Sequence, residues 1–212
     1  GLWNTGIGSN ALYFNIEGNA NVAVGNAALL SNATGSSNTA NGTDALFWNI
    51  SGSSNTAIGH RTLFTNTTGV NNTAVGKEAL LTILTGSNNT AIGYKADVAE
   101  DAIVNATAIG SNAYAGASNS VVIGSINGVN GATASANVGI GTSTPHSSAA
   151  LEVKSTDKGV LVPRIALTAA NVASPVTSPA DALLVYNTAA AGSGTNAVEP
   201  GFYYWNAASS CW

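Results

Sequence analysis

Charge is scarce in this sequence: 8% of its 212 residues are Asp, Glu, Lys or Arg, against about a quarter in an ordinary soluble domain. Six Lys and Arg stand against ten Asp and Glu, a net charge of -4, so the basic footprint that nucleic acid requires is missing. One cysteine excludes a disulfide framework within the chain and any cysteine-based zinc site. No run approaches the roughly 18–20 apolar residues of a membrane span, so membrane insertion is not expected. No charged segment leads into an apolar one, so no signal peptide is visible. Methionine is absent, which implies a processed chain or a piece of a longer one. Aromatics make up only 7%. What is abundant is small: 24 glycines, with alanine, serine, threonine and asparagine around them.

Those small residues recur on a period. Gly8, Gly25, Gly42, Gly59, Gly76, Gly93 and Gly110 stand seventeen apart, and Gly1, Gly18, Gly35, Gly52, Gly69 and Gly86 form a second such series. Asn4, Asn21, Asn38, Asn55, Asn72 and Asn89 precede the first series by four residues, and Leu12, Leu29, Leu46, Leu63 and Leu80 follow it by four. The unit reads N-T-A-[IV]-G-x-x-A-L-Φ-x-N-x-x-G, where Φ is aromatic or aliphatic. Seventeen residues are too few for two packed helices, which take about 33 per repeat. Two short extended pieces with a glycine at each corner make one coil of a parallel β-solenoid, whose rungs stack at about 4.8 Å. The fold class expected is therefore all-β.

Stacking places like residues in columns. Asn21, Asn38, Asn55, Asn72 and Asn89 then form a ladder of amides, each offering a donor and an acceptor to its neighbours. Asp44, Arg61, Glu78 and Lys95 fall two residues after successive glycines with alternating sign, so Arg61 is expected between Asp44 and Glu78. Such exposed pairs are worth about 0–1 kcal/mol each and serve register more than stability. Tyr13, Leu30, Phe47, Phe64 and Leu81 directly follow the leucines. If that piece is extended, one member of each pair faces out and leaves an apolar stripe; a short helical turn, as over residues 77–82, puts both on one side. Closed self-association is the economical cover for a stripe.

At residues 106–124, ATAIGSNAYAGASNSVVIG, the period shortens: Ile109-Gly110 recurs as Ile123-Gly124, fourteen residues on. This segment resembles the head repeats of trimeric autotransporter adhesins. The seventeen-residue units resemble the expanded version in bacteriophage tail fibres and bacterial surface fibres. NVGIGTSTP, residues 137–145, resembles the segment that often follows such repeats in tail-fibre proteins, including those ending in an endosialidase-type chaperone. The resemblance covers residues 1–153 and implies a homotrimer of left-handed parallel β-rolls around a shared apolar seam. Neither that chaperone nor a membrane-anchor barrel has a counterpart in these 212 residues.

Beyond residue 124 the repeat stops. Residues 125–148 read as a neck or linker and residues 149–212 as a small β-rich module. Strands are expected over 150–154, 160–165, 182–186 and 202–205, with a short helix capped by Thr168 through residue 173. GVLVPR at 159–164, LVYNT at 184–188 and GFYYW at 201–205 resemble a C-terminal module of Bacteroidota surface and fibre proteins.

Catalytic chemistry finds no footing. The acids fall singly except for Glu100-Asp101, and His60 and His146 lie in different segments, so neither a carboxylate pair nor a metal-ligand set emerges. Glu100-Asp101 reads as solvated loop acids, with a calcium site as its alternative. Gly-x-Gly fragments lack the helix and acid of a dinucleotide site. No catalytic, cofactor-binding or metal residue is assigned. Tyr203 and Trp205 are the candidate glycan contacts, since an exposed aromatic can stack on a sugar ring.

The combined expectation is a non-enzymatic, extracellular, homotrimeric fibre segment on a virion tail, an injection-machine fibre or a bacterial surface. Residues 1–124 form its solenoid shaft, and further fibre or baseplate components and a surface glycan or receptor are its partners. A cell-surface adhesin binding glycans is the alternative, and an ice-binding solenoid using stacked Thr39, Thr56, Thr73 and Thr90 a remote one.

Overall fold

A computed structural model describes residues 1–99 and 101–212. They fall into two compact units, residues 1–152 and 153–212. Unit one is a parallel β-solenoid. Each coil contributes one three-residue strand: β1 (Thr5–Ile7), β2 (Val22–Val24), β3 (Thr39–Asn41), β4 (Thr56–Ile58), β5 (Thr73–Val75) and β6 (Thr90–Ile92). After β7 (Asp97–Val98) come β8 (Thr107–Ile109), β9 (Tyr114–Ala115) and β10 (Val121–Ile123). The sheet order is β1-β2-β3-β4-β5-β6-β8-β10, all parallel. Register follows the sequence period: Thr39 pairs with Thr56, Ala40 with Ala57, and Asn41 with Ile58.

The second extended piece expected in every coil is not there. From the glycine to the second asparagine the chain runs through consecutive turns, closed by Ala45 N–H to Gly42 O at 3.2 Å and Asn49 N–H to Leu46 O at 3.2 Å. Bonds to the adjoining coil, such as Leu46 N–H to Thr62 O at 3.0 Å, tie turn to turn. Only β7 and β9 make this side a two-stranded sheet.

The interior is narrow, and the residues that fill it follow from that. At the middle of the strands Ala23, Ala40, Ala57, Ala74, Ala91 and Ala108 are fully buried. Leu29, Leu46, Leu63 and Leu80 fill the remaining width, each burial contributing about 1.5–3 kcal/mol. These leucines sit at φ between +46 and +52, the left-handed region. Asp44, Arg61, Glu78 and Lys95 sit at +53 to +59, and Ser37, Ser54, Asn71 and Asn88 at +58 to +60. No Val, Ile or Thr takes a left-handed position among the described residues. A side chain branched at Cβ is the one least tolerated there, which explains why the core column is Leu and not Ile.

The two glycine series answer different needs. Gly25, Gly42, Gly59 and Gly76 have φ between +131 and +146, open to glycine almost alone. Gly35 has no such φ; a Cβ there would lie 2.2 Å from Gly52 O of the next coil. The first series turns the chain, whereas the second makes room for its neighbour.

Residues 125–136 lie within the expected neck or linker. They fold back over the last coil: Asn130 Nδ2 donates to Lys95 O at 2.5 Å, and Asn112 Nδ2 donates to Asn130 O at 2.7 Å. β11 (Val138–Ile140) then pairs with β12 (Leu151–Val153). In unit two, β13 (Arg164–Ile165), β14 (Leu184–Asn187) and β15 (Gly201–Tyr204) form a sheet in that order, the first pair parallel and the second antiparallel. The strand expected over 160–165 shrinks to its last two residues. The helix expected after Thr168 is a series of bends and turns instead. Thr168 Oγ1 donates to Ser174 O at 3.2 Å, not to a helix N-terminus.

Leu63→Ile keeps the volume but places a β-branched residue at φ +52, and is expected to destabilise by about 2–4 kcal/mol. Leu63→Met should cost less than about 1.5 kcal/mol. Chemical denaturation of the two variants beside the parent protein checks the order.

Candidate functional site

Two asparagine columns run along the solenoid, the first from Asn4 to Asn89 and the second from Asn15 to Asn66. In the first, each side-chain oxygen accepts the backbone N–H of the asparagine one coil on. Asn38 N–H to Asn21 Oδ1 is 2.9 Å, Asn55 N–H to Asn38 Oδ1 is 3.0 Å, and Asn72 N–H to Asn55 Oδ1 is 2.9 Å. The same step joins Asn89 N–H to Asn72 Oδ1 at 3.0 Å and Ala106 N–H to Asn89 Oδ1 at 2.9 Å. The nitrogens do not mainly bond amide to amide. Each donates to a backbone carbonyl fourteen residues on, in the same turn as the N–H its oxygen accepts, as Asn38 Nδ2 does to Gly52 O at 2.8 Å. Asn21, Asn38, Asn55, Asn72 and Asn89 are all fully buried. One short side chain thus gives a buried N–H its acceptor and shares a buried carbonyl with the second column, as Asn38 does for the Asn55 N–H and, with Asn49, for Gly52 O.

The second column, Asn15, Asn32, Asn49 and Asn66, was present in the repeat consensus but carried no expectation. It is the amide-to-amide ladder: Asn32 Nδ2 to Asn15 Oδ1 is 2.6 Å, Asn49 to Asn32 is 2.7 Å, and Asn66 to Asn49 is 2.8 Å. The period itself held the signal. The ladder stops where the next coil has Ile83 in place of asparagine, and Asn66 Oδ1 is accordingly buried with no hydrogen-bond partner.

The charged column is stacked as expected, with Arg61 N–H on Thr43 O and Glu78 N–H on His60 O, but its ion pairs differ. Lys95 Nζ lies 3.7 Å from Glu78 Oε2, and Lys77 Nζ lies 3.5 Å from Glu78 Oε1. Arg61 pairs with neither Asp44 nor Glu78 among the described residues. Its guanidinium lies 4.4 Å over the Phe64 ring, an arrangement a weakly hydrated planar cation favours.

The apolar positions after the leucines share their exposure. Phe47 stacks on Phe64 with ring centroids 5.2 Å apart, and both are half-buried. The more exposed apolar column lies on the outer sheet face, where Ile58, Ile92, Ile109 and Ile123 stand in line beside Thr56, Thr90 and Thr107. Thr39, Thr56, Thr73 and Thr90 pair in register there, one per coil.

In unit two the aromatic strand has the opposite phase to the one a glycan contact at Tyr203 and Trp205 needs. Trp205 is 7% exposed and packs on Trp212 at 5.2 Å, so no ring face is free for a sugar. Tyr203 faces the same core and accepts the Glu199 N–H on its Oη at 3.0 Å. Phe202 and Tyr204 point outward instead. The alternation is set by β14, whose Val185 and Asn187 are buried opposite Tyr203 and Gly201.

No three of His, Cys, Asp and Glu come together to hold a metal among the described residues. Of the acid pair, Asp101 is exposed and Glu100 lies outside the described residues. The acid that does stand out is Asp97, which occupies the place of leucine in the core column and is 5% exposed. Burial raises its carboxyl from 3.8 to about 6, although Val98 N–H at 2.9 Å and Thr82 Oγ1 at 3.2 Å donate to it.

Asn55→Ala removes the acceptor of the Asn72 N–H and one of the two donors to the Gly69 carbonyl, which keeps Asn66 Nδ2 at 3.2 Å. It should cost about 2–4 kcal/mol in denaturant unfolding. Asp97 binds its proton more tightly folded than unfolded, so stability should be highest below about pH 4 and fall as pH rises to about 6. The total is on the order of 2–3 kcal/mol. Unfolding free energies measured across that window should lose this slope in Asp97→Asn.

A family model described as a phage tail like trimerisation region matches residues 139–212. A search of curated proteins gives no match. The matched region and the solenoid before it together fit a phage tail-fibre-like protein.

Proposed function

We propose that this chain is a structural segment of an extracellular trimeric fibre, in which the solenoid is a spacer and the C-terminal region holds three copies together. The observation that carries the reading is the trimerisation-region match over residues 139–212, next to a solenoid that satisfies its own polar groups. Eight strands stacked at about 4.8 Å give a shaft of roughly 35 Å. Its buried amides fix the length of each coil, so it transmits position without a moving part. The exposed isoleucines of the outer sheet face supply an apolar column suited to burial between shafts.

The resemblance of residues 106–124 to adhesin heads, and of the C-terminal motifs to Bacteroidota fibre modules, supports the same class of assembly. It also supports a place on a virion tail, an injection machine or a cell surface. Such a role is non-enzymatic. A ligand-binding end would be carried by the fibre as cargo and would use surfaces other than the stacked columns. Sedimentation equilibrium or light scattering should give three chains of 21.0 kDa. A stable monomer at micromolar concentration contradicts the reading.

A further inference from the structure

The sheet of unit two is covered on one face only. Val185 and Asn187 of β14 and Tyr203 of β15 point to a core with Leu167 and Val198. The other face carries paired neighbours, Leu184 beside Tyr204 and Tyr186 beside Phe202, with Arg164 in register with Tyr186. Phe202 is 67% exposed and Tyr204 61%. The Tyr186 and Phe202 rings meet edge to face at 5.3 Å, and the Arg164 guanidinium lies 5.5 Å from the Tyr186 ring. Against this face runs residues 160–162, Val-Leu-Val, outside any strand. Leu161 is 85% exposed. Among the described residues no hydrogen bond engages the backbone of these three. Between segment and sheet lies a hollow of about 240 Å³, lined by Val160, Leu161, Val162, Arg164, Tyr186 and Phe202.

We infer that this face, with the 160–162 segment beside it, is the surface through which the C-terminal region meets the same region of two further copies. Three observations select that occupant. Every residue concerned lies inside the matched trimerisation region. The lining is apolar apart from the Tyr186 hydroxyl and one guanidinium already set against an aromatic ring, so it offers little to orient a polar ligand. And an exposed apolar segment with unpaired backbone is a poor end state in water but a good one when another chain supplies both apolar cover and hydrogen-bond partners. Leu161 is the residue best placed to enter the hollow of a neighbour, and Arg164 to stack at the rim.

The inference rests on the trimeric reading above but fails separately from it. In the full chain, Leu161→Asp and Phe202→Asp should each weaken the trimer at least about 30-fold in sedimentation. Circular dichroism should be unchanged, since both side chains are exposed in the single chain. Because the solenoid can also hold copies together, accessibility supplies a second readout. In a Cys211→Ser background, Leu161→Cys in the trimer should react with a maleimide at least tenfold more slowly than Ser193→Cys, another exposed site of the same unit. Equal labelling rates in a trimeric protein overturn the inference and leave the trimer standing. So does a Leu161→Cys that only added maltoheptaose protects, which would mark a glycan platform. A wild-type monomer removes both.

Discussion

The constraint on which the rest depends is that a seventeen-residue coil must satisfy its own corners. A strand of three residues supplies few ladder bonds, and the chain between strands runs mostly through turns that bond to the turns of the adjoining coil. Without help, each coil would bury the N–H of its first asparagine with no acceptor, and an unmet buried group costs as much as several good contacts return. The first asparagine column removes that cost at every step, since one amide, that of Asn38, accepts the Asn55 N–H of the next coil and donates to the Gly52 carbonyl in the same turn. The amide's reach fixes the distance from each turn to the one stacked on it, so a shift of one residue in that turn breaks both bonds. Periodicity in the sequence is the record of that distance.

Core composition follows from the same geometry. Corners set so close leave room for alanine at the strand centre and a single leucine opposite. The turn that carries that leucine demands a left-handed backbone, which removes Ile and Val from consideration. Where the column changes to Asp97 the turn gives way to a strand. A carboxyl then stands in a place built for a hydrocarbon, held by one backbone and one hydroxyl donor. The change falls where the second asparagine ladder has just ended, at the orphaned Asn66 oxygen beside Ile83.

Most of the solenoid was legible because identical residues at a fixed spacing can be superposed on paper. The strand register, the superposed Asn38, Asn55 and Asn72 and the buried leucines all follow from counting to seventeen. What counting could not supply was direction. Arg61 has oppositely charged residues at equal spacing above and below it, yet its own coil offers Phe64 three residues on, and the guanidinium lies 4.4 Å over that ring, a contact of the same size as a solvated ion pair. In the C-terminal unit there is no period to count. Whether Tyr203 or its neighbours face outward is decided by pairing with β14, eighteen residues earlier in the chain, and no local pattern in GFYYW carries that information. The helix expected after Thr168 failed for the same reason: local capping chemistry was read where distant strands set the path.

The two units solve the problem of a sparse core in opposite ways, and this bears on the proposed fibre. The solenoid spreads its core thinly over many identical coils, and each coil leans on the next, so its stability grows by addition along the stack. The C-terminal unit has a cluster of Leu167, Val185 and Val198 with a few flanking side chains, too little for a domain of sixty residues to be amply stable alone. Its larger apolar side chains, Leu161, Phe202 and Tyr204 among them, are turned outward. A small domain that keeps its best hydrophobes on the surface gains by association what it forgoes by folding. In that arrangement, association adds stability to a fold each copy already holds, whereas the shaft before it can be lengthened coil by coil without altering that contact.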